Sequence, residues 1–200
     1  MNTVNHWIES IKGMSNVHRF SMASLCKEES VLEHAGMVAL TALRIGIETD
    51  GIDIKELLIR SLIHDIEECM TGDLPSPTKY VTKEVREGLA YFEKYCAGKI
   101  LNDAGLSILM KSWENAKVSR EGDIVAFSDA FTSLLKFHDE IIIRGNKSMI
   151  PLISPMLFQK CERALDRLLF TRNSKPPVIY EYLKVVTSMI NDLKEVCDED

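Results

Sequence analysis

His64-Asp65-Ile66-Glu67-Glu68-Cys69-Met70-Thr71-Gly72-Asp73-Leu74-Pro75-Ser76-Pro77-Thr78-Lys79-Tyr80 is the stretch on which the reading of this 200-residue chain turns. It follows a largely apolar run, residues 57–63, that opens with a capping-box-like start at Asp53-Ile54-Lys55-Glu56. A helix therefore carries the His-Asp pair in from a buried face, on which Leu57, Leu58, Ser61, Leu62, Asp65 and Cys69 are expected to lie. A buried imidazole beside a carboxylate is costly unless each finds a partner or a metal. Adjacent residues do not share a helix face, but both can lean toward one ion between them, and Glu68 follows one turn later on the same side. Gly72, Pro75 and Pro77 then predict a stiff, extended loop over residues 71–77.

Outward from there the pattern is helical almost throughout. A short helix is expected over residues 2–12, ended by Gly13, with residues 14–29 irregular. Ser30-Val31-Leu32-Glu33 is a capping box, and Val31, Ala35, Val38, Ala39 and Ala42 follow at helical spacing. Further helices are expected over residues 82–100, 104–117, 121–143, 155–171 and 177–196, with a connector over 145–155. The helix at 121–143 offers Ile124, Phe127, Phe131, Leu134, Leu135 and Ile142 to the core. Lys175-Pro176-Pro177 splits the last two helices, and residues 197–200 are expected to fray. No strand alternation and no repeat occur, so the expectation is an all-α fold of seven or eight helices in one domain, residues 1–200.

Composition narrows the function. The balance of 24 Lys plus Arg against 30 Asp plus Glu gives a net charge of −6, which disfavours a long nucleic acid as partner. An acidic chain that handles phosphate needs another cation. No apolar run approaches the roughly 20 residues of a membrane span, and the N-terminus lacks the basic flank and apolar run of a signal peptide. The five cysteines are scattered without a C-x-x-C pair, which argues against a disulfide framework or a cysteine zinc site and for a reducing cytoplasm. Each is expected to be a small buried apolar residue.

Two further residues stand out. His34 lies one turn from Val31 and Val38, beside an apolar stripe, and Asp129 sits in Val125-Ala126-Phe127-Ser128-Asp129-Ala130, where an isolated acid is costly. Small neighbours of Asp129 allow another helix to come close. His34, His64, Asp65 and Asp129 together make a mixed nitrogen and oxygen set suited to a divalent metal with positions left for water and substrate. His138-Asp139 has no acid one turn later and is flanked by Lys136 and Glu140, so a solvated face is expected there; His6 and His18 have no ligand-like spacing.

The order H…HD…D is that of the HD-domain phosphohydrolases. The quoted stretch closely resembles the H-D-x-x-E-x-x-T-G-D-[LI]-P-x-P-x-K-Y signature of the YfbR-like 5′-deoxynucleotidases, and Arg19-Phe20 with Glu33-His34 is similar to that family's Arg-Trp…Glu-His arrangement. The resemblance covers residues 10–170. It implies a single HD-domain helical bundle, with the site over 19–129 and the helices at 155–196 packing on it. It implies His34, His64, Asp65 and Asp129 as ligands of one divalent ion (Co²⁺, Mn²⁺, Mg²⁺ or Zn²⁺), joined by a second with a polyphosphate substrate. Glu68 and Asp73 match catalytic carboxylates, and Arg19 matches a substrate arginine that contacts phosphate. Phe20 stands where the family has Trp, keeping a stacking surface without the indole N–H. The expected activity is release of phosphate from a deoxynucleoside 5′-phosphate by a homo-oligomeric hydrolase.

A similarity to phage HD enzymes of the DatZ type implies an alternative, removal of the triphosphate from dATP, with Phe20 and Met22 lining the base pocket. Lys79 is a candidate phosphate contact. A different phosphoester, such as an alarmone or cyclic nucleotide, is a further alternative, although Cys69 replaces the final acid of the alarmone hydrolases' H-D-x-x-E-D. The non-enzyme alternative is a metal-free helical binding module.

Overall fold

The helix Ser119–His138 buries side chains around its whole circumference, including Ile124, Val125, Phe127, Ala130, Phe131 and Leu134, as expected of a helix enclosed by others. The computed structural model describes residues 2–79, 81–153, 155–170 and 177–199. In chain order the helices are α1 (Thr3–Asn16), α2 (Val31–Ile47), α3 (Ile54–Ile63), α4 (Glu68–Thr71), α5 (Ser76–Lys79), α6 (Lys83–Asp103), α7 (Met110–Glu114), α8 (Ser119–His138), α9 (Pro155–Phe170) and α10 (Pro177–Glu199). The fold is all-α, and seven of these helices run ten residues or more. Helices α2, α3, α9 and α10 pack around α8, while α1 packs against α2, α4 and α6. No helix among the described residues is long and apolar enough to cross a membrane.

Two apolar clusters result. The larger joins Val38, Ala42, Ile45 and Leu57 to α8, α9 and α10; the smaller joins Met14, Val31, Ala35, Ile63 and Ile66 to Ala97, Ile100 and Leu101 of α6. Helix α2 contributes to both, and His34 falls along it between Val31 of one and Val38 of the other. Close approach depends on missing side chains. A Cβ at Gly46 would meet Leu57 Cδ2 at 2.5 Å, so α2 and α3 touch through that glycine.

Several elements differ from the expected pattern. Helix α1 runs through Gly13 to Asn16; the glycine is kept because a Cβ there would stand 2.8 Å from Cys69 Cβ. Helix α3 stops at Ile63, ahead of the His-Asp pair, and Leu62 is 47% exposed. The Gly/Pro stretch is extended only over residues 72–75 and then forms α5, where Pro77 falls in a first turn that needs no N–H from it. Residues 104–117 hold only a 3₁₀ turn, Ser107–Leu109, and α7, because Gly105 at φ 72° ends α6 with Leu106 N–H donating to Leu101 O. Leu135 and Ile142 are half-buried, and α10 extends to Glu199 where fraying was expected. Cys96 and Cys161 are buried and Cys69 half-buried, but Cys26 and Cys197 are exposed. Tyr80, Lys175 and Pro176 lie outside the described residues.

The expected solvated face around His138-Asp139 is corrected most sharply. Lys136 and Glu140 are buried and paired at 2.7 Å, and His138 Nε2 stands 2.9 Å from Asp192 Oδ2. The chain opens into one π turn, Asp139–Ile143, and Glu140 accepts from the Cys26 N–H (2.7 Å), the Lys27 N–H (2.9 Å) and Asn146 Nδ2 (2.8 Å). Lys136 also donates to Lys27 O. One buried carboxylate thus ties the irregular segment before α2 to the end of α8. Burial opposes its charge, but Lys136, Asn146 and the two backbone N–H groups prevail and hold its pKa down, from 4.5 to about 2.

Glu140→Ala leaves Lys136 buried without its partner, and a loss of about 3–5 kcal/mol in urea unfolding at neutral pH is expected. The depressed pKa makes this contribution complete above 4.5 and lost as pH falls toward about 2. The stability gap between wild type and variant should therefore close on acidification; a gap independent of pH would show that the carboxylate's charge is not what holds the segment.

Candidate metal centre

The break after Ile63 is what brings His64 and Asp65 to one point. Residues 64–67 turn with i→i−3 hydrogen bonds, Ile66 N–H to Ile63 O at 3.1 Å and Glu68 N–H to Asp65 O at 3.1 Å. This tighter winding swings the two adjacent side chains toward each other, with His64 Nε2 3.1 Å from Asp65 Oδ2. His64 Nδ1 donates to Ser61 O at 2.8 Å, which leaves Nε2 with its lone pair facing the carboxylate.

His34 enters from α2, fully buried. Its Nδ1 side is occupied by Arg19 Nη1 at 2.9 Å and Thr132 Oγ1 at 3.3 Å, so Nε2 faces Asp65 Oδ2 at 3.8 Å and Asp129 Oδ1 at 3.3 Å. The two rings lie 5.4 Å apart. Ligand atoms of His34, His64 and Asp65 all fall within 4.8 Å of one another, close to the spacing of atoms sharing one ion at bonds of about 2.1 Å. Asp129, buried on α8, joins the group through Oδ1, while its Oδ2 accepts from Lys117 Nζ at 2.5 Å and Lys160 Nζ at 3.2 Å.

The donor set passes a test of its own. His34 Nε2 and His64 Nε2 are both buried without a hydrogen-bond partner among the described residues. Buried polar atoms are paired in almost all native proteins, so two orphan imidazole nitrogens aimed at two carboxylates mark a place for a cation. Burial and the charge of Arg19 lower the pKa of His34, keeping it neutral as a ligand must be. At His64 burial acts the same way, but the Asp65 charge and contact outweigh it and the net direction is up. Asp65 and Asp129 are held below the usual carboxylate range despite burial, Asp65 by His64 and Asp129 by Lys117 and Lys160.

Around this point stand the other candidates. Arg19 is nearly buried, donating to Glu29 Oε1 at 2.6 Å and to Ser133 Oγ at 3.2 Å. Phe20 has φ 57°, a left-handed backbone that a non-glycine residue adopts only when held there. Its N–H donates to Asp73 Oδ2 at 2.8 Å, so Asp73 joins the T-G-D turn to the Arg19 segment. The Phe20 ring packs edge-on to Phe137 at 5.3 Å, with Arg19 Cζ 5.0 Å above it. Glu68 is buried with Oε2 unpartnered among the described residues, and Lys79 Nζ lies 3.7 Å from its Oε1 and 3.2 Å from Glu93. Burial, then the charges of Asp65 and Asp73, push the Glu68 carboxyl up to about 9. Met22 is 82% exposed and is not among the residues drawn together. His18 is half-exposed beside Glu28, and Glu33 closes the capping box with Ser30.

Sequence reading missed Glu29, Ser133, Lys117 and Lys160. Glu29 sits in the polar run Lys27-Glu28-Glu29-Ser30, and both lysines sit in sequence that reads as solvated. Their roles arise from contacts across 10, 12 and 31 positions or more, which no local pattern encodes.

A helical bundle that brings His34 of α2 together with His64 and Asp65 of the turn after α3, and sets Asp129 of α8 beside His34, has the donor arrangement of a metal-dependent HD-domain phosphohydrolase. Comparison with known proteins makes the assignment narrower. The chain belongs to the YfbR-like 5′-deoxynucleotidase family, whose model matches residues 6–152. It is 24% identical over 155 residues to the 5′-deoxynucleotidase YfbR of Salmonella typhi, covering 72% of this chain and 76% of that protein. The Salmonella newport YfbR is 25% identical over 154 residues, with the same coverage. In fold it is similar to an HD-domain phosphohydrolase from Listeria innocua, at TM-score 0.72 and 24% identity over 96% of this chain and 90% of that one. It is also similar to the cyanophage S-2L HD phosphohydrolase DatZ, solved with dA and one catalytic Zn²⁺, at TM-score 0.54 and 18% identity over 96% of both chains. The chain is a hydrolase of nucleotide phosphate bonds with a site for a divalent metal.

A raised His64 pKa fixes the pH dependence of metal binding. Metal must displace the His64 proton, so affinity for Mn²⁺ or Co²⁺ should fall, by at most about tenfold per unit, as pH drops through the raised pKa and on below the ordinary 6.5 of an imidazole. Calorimetry in buffers of different ionisation enthalpy should register proton release; affinity flat across that range would remove His64 from the ligand set.

Proposed function

We propose that this chain is a cytoplasmic 5′-deoxynucleotidase, a single HD domain working as a homo-oligomer, that releases phosphate from deoxynucleoside 5′-phosphates. The observation that carries the reading is the pair of orphan nitrogens, His34 Nε2 and His64 Nε2, facing Asp65 and Asp129. These four residues hold one divalent ion, of the Co²⁺, Mn²⁺, Mg²⁺ or Zn²⁺ kind. Bound there, the ion supplies Lewis acidity toward a phosphoryl oxygen and toward water.

The protein's own groups do the rest. Arg19, anchored on Glu29 and Ser133 behind His34, adds a fixed guanidinium charge beside the ligand cluster, where it offsets phosphate charge. Glu68 carries a proton at neutral pH, since its carboxyl is raised to about 9, and donates it to the departing 5′-oxygen. Asp73 holds the Phe20 backbone and so fixes the side of the site that meets the nucleoside. Phe20 borders the base, and its packing on Phe137 leaves only part of the ring for stacking. Lys79, between Glu68 and Glu93, supplies a further positive charge near the leaving group.

Phosphate release by purified protein with Co²⁺, Mn²⁺ or Mg²⁺ across the deoxynucleoside monophosphates tests the reading. Glu68→Gln should lower kcat by about 10²–10⁴ while metal affinity stays. His64→Ala and Asp129→Ala should lose metal affinity and activity together. Full metal-dependent activity in either of these would overturn the ligand assignment.

A further inference from the structure

Helix α2 is apolar on two sides, and the fold covers one of them. Val31, Ala35, Val38, Ala42 and Ile45 are buried toward the two apolar clusters, where α1, α3 and α8 pack. On the other side Leu32, Gly36, Leu40, Leu43 and Ile47 recur at steps of four, four, three and four residues, within an arc of about 80°. Leu40 is 71% exposed, Ile47 68% and Leu32 37%, with Leu43 and Gly36 half-buried. Weighted by exposure, this stripe presents roughly 400 Å² of apolar surface, a size that marks a contact on a soluble protein. Glu33, Arg44 and Glu48 along its edge bring the face toward the roughly 800 Å² per partner of a standard interface. Helix α6 also exposes Tyr91 and Tyr95, but these carry hydroxyls and share their side of the helix with Glu84 and Glu87.

Gly36 is a second, separate observation on the same stripe. A glycine inside a helix weakens it relative to alanine, and one is kept where something must come close. Gly46 of the same helix meets that condition, since Leu57 occupies the space a Cβ would need. A Cβ added at Gly36 meets nothing within 4 Å among the described residues. In a single copy, then, Gly36 costs helix stability and makes room for nothing. It leaves a hollow in the middle of an exposed aliphatic face.

We propose that the outer face of α2 is the contact between two copies of this chain, packed antiparallel across a two-fold axis that passes between Ala39 and Leu40. The stripe is its own complement in that arrangement. Leu32 falls opposite the partner's Ile47, Gly36 opposite the partner's Leu43, and the two Leu40 side chains meet at the axis, so that each Leu43 enters the hollow at a glycine. The charges agree with the same register. Glu33 and Arg44 border the same edge of the stripe, and a two-fold sets each Glu33 near the partner's Arg44. Within its own chain Glu33 engages Ser30 through Oε2, and Arg44 engages Glu48 through Nη1 alone of its donors. This gives the homo-oligomer of the reading above a specific contact, and it places that contact and the ligand His34 on opposite sides of one helix.

Sedimentation equilibrium of the full chain, from nanomolar to about 0.1 mM, tests the contact on wild type, Leu40→Glu, Gly36→Leu and, on α6, Tyr91→Glu. Wild type should associate to a dimer. A two-fold contact carries each substitution twice, so Leu40→Glu and Gly36→Leu should each raise the dimer Kd by about a hundredfold or more, while Tyr91→Glu leaves it unchanged. Both α2 positions are open in the single copy, so both variants should keep the wild-type circular dichroism. At dilutions where every form is a monomer, Gly36→Leu should melt above wild type, since leucine favours the helix; weaker association together with a firmer fold is a result that general damage to the protein does not give. A wild type that stays monomeric at the highest concentration would overturn the proposal and leave the face to a different partner. So would a Leu40→Glu chain that dimerises like wild type, or a dimer lost through Tyr91→Glu instead. Mass is read independently of phosphate release: a dimer through α2 without deoxynucleotidase activity keeps the contact and removes the functional reading, and an active monomer does the reverse.

Discussion

His34 Nε2 and His64 Nε2 are buried with no hydrogen-bond partner among the described residues, and Asp65 and Asp129 stand opposite them. Four such groups in apolar surroundings are unstable as a set unless charge and lone pairs converge, and that requirement shapes much of what surrounds them. Helix α3 ends at Ile63 so that consecutive residues can face one point. Helix α2 threads His34 between two apolar clusters, so that the seam of the molecule is where polar atoms collect. Arg19 sits behind His34, where its charge keeps that ring neutral, and Lys117 and Lys160 sit behind Asp129, where theirs keep it ionised. The surrounding cations thus set protonation states as well as offsetting net charge.

The histidines and acids were legible in the sequence because their chemistry is conspicuous against its background: a His-Asp pair after an apolar run, an acid inside an apolar helix. The helical class was legible for the same reason, as periodicity records burial directly. What could not be read was where a helix must fail. Nothing between Ser61 and Cys69 breaks helical spacing; the break serves tertiary convergence, and propensity yields to it. Lys136 and Glu140 show the converse error. An i, i+4 pair of opposite charge reads as a solvated face, yet Phe137 and Ile141 beside it are buried, and the loop carrying Cys26 and Lys27 closes over the pair. Glycines misled in a third way. Gly13 reads as a stop and is a contact, because the space beside it is taken by Cys69.

The segment that carries Arg19 and Phe20 takes its order from carboxylates outside the ligand cluster. Glu140 fixes residues 26 and 27, Asp73 fixes Phe20, and Glu29 fixes Arg19. Three carboxylates, none of them among the four cluster residues, therefore hold the irregular segment between α1 and α2 that has little regular structure of its own. These anchors hold Arg19 and Phe20 in one conformation while Met22 stays in solvent, as the proposed substrate role of the segment requires. A surface loop without such anchors would give up ordering entropy each time a substrate arrived.

Two buried carboxyls, Glu68 and Asp129, are driven to opposite states, and this division is what permits acid and anion to coexist at one pH. Asp129 meets Lys117 and Lys160 and stays charged; Glu68 meets burial, Asp65 and Asp73, and keeps its proton. Lys79 pulls Glu68 the other way, but at 3.7 Å and shared with Glu93 it does not prevail. The separation needs no difference in residue chemistry, only in which charges each group faces. The proposed mechanism, in which one carboxylate helps hold a cation and one carboxyl protonates a leaving oxygen, needs both states at once. In this fold Glu68 of α4 supplies one, and Asp129 of α8, backed by Lys117 and by Lys160 of α9, supplies the other.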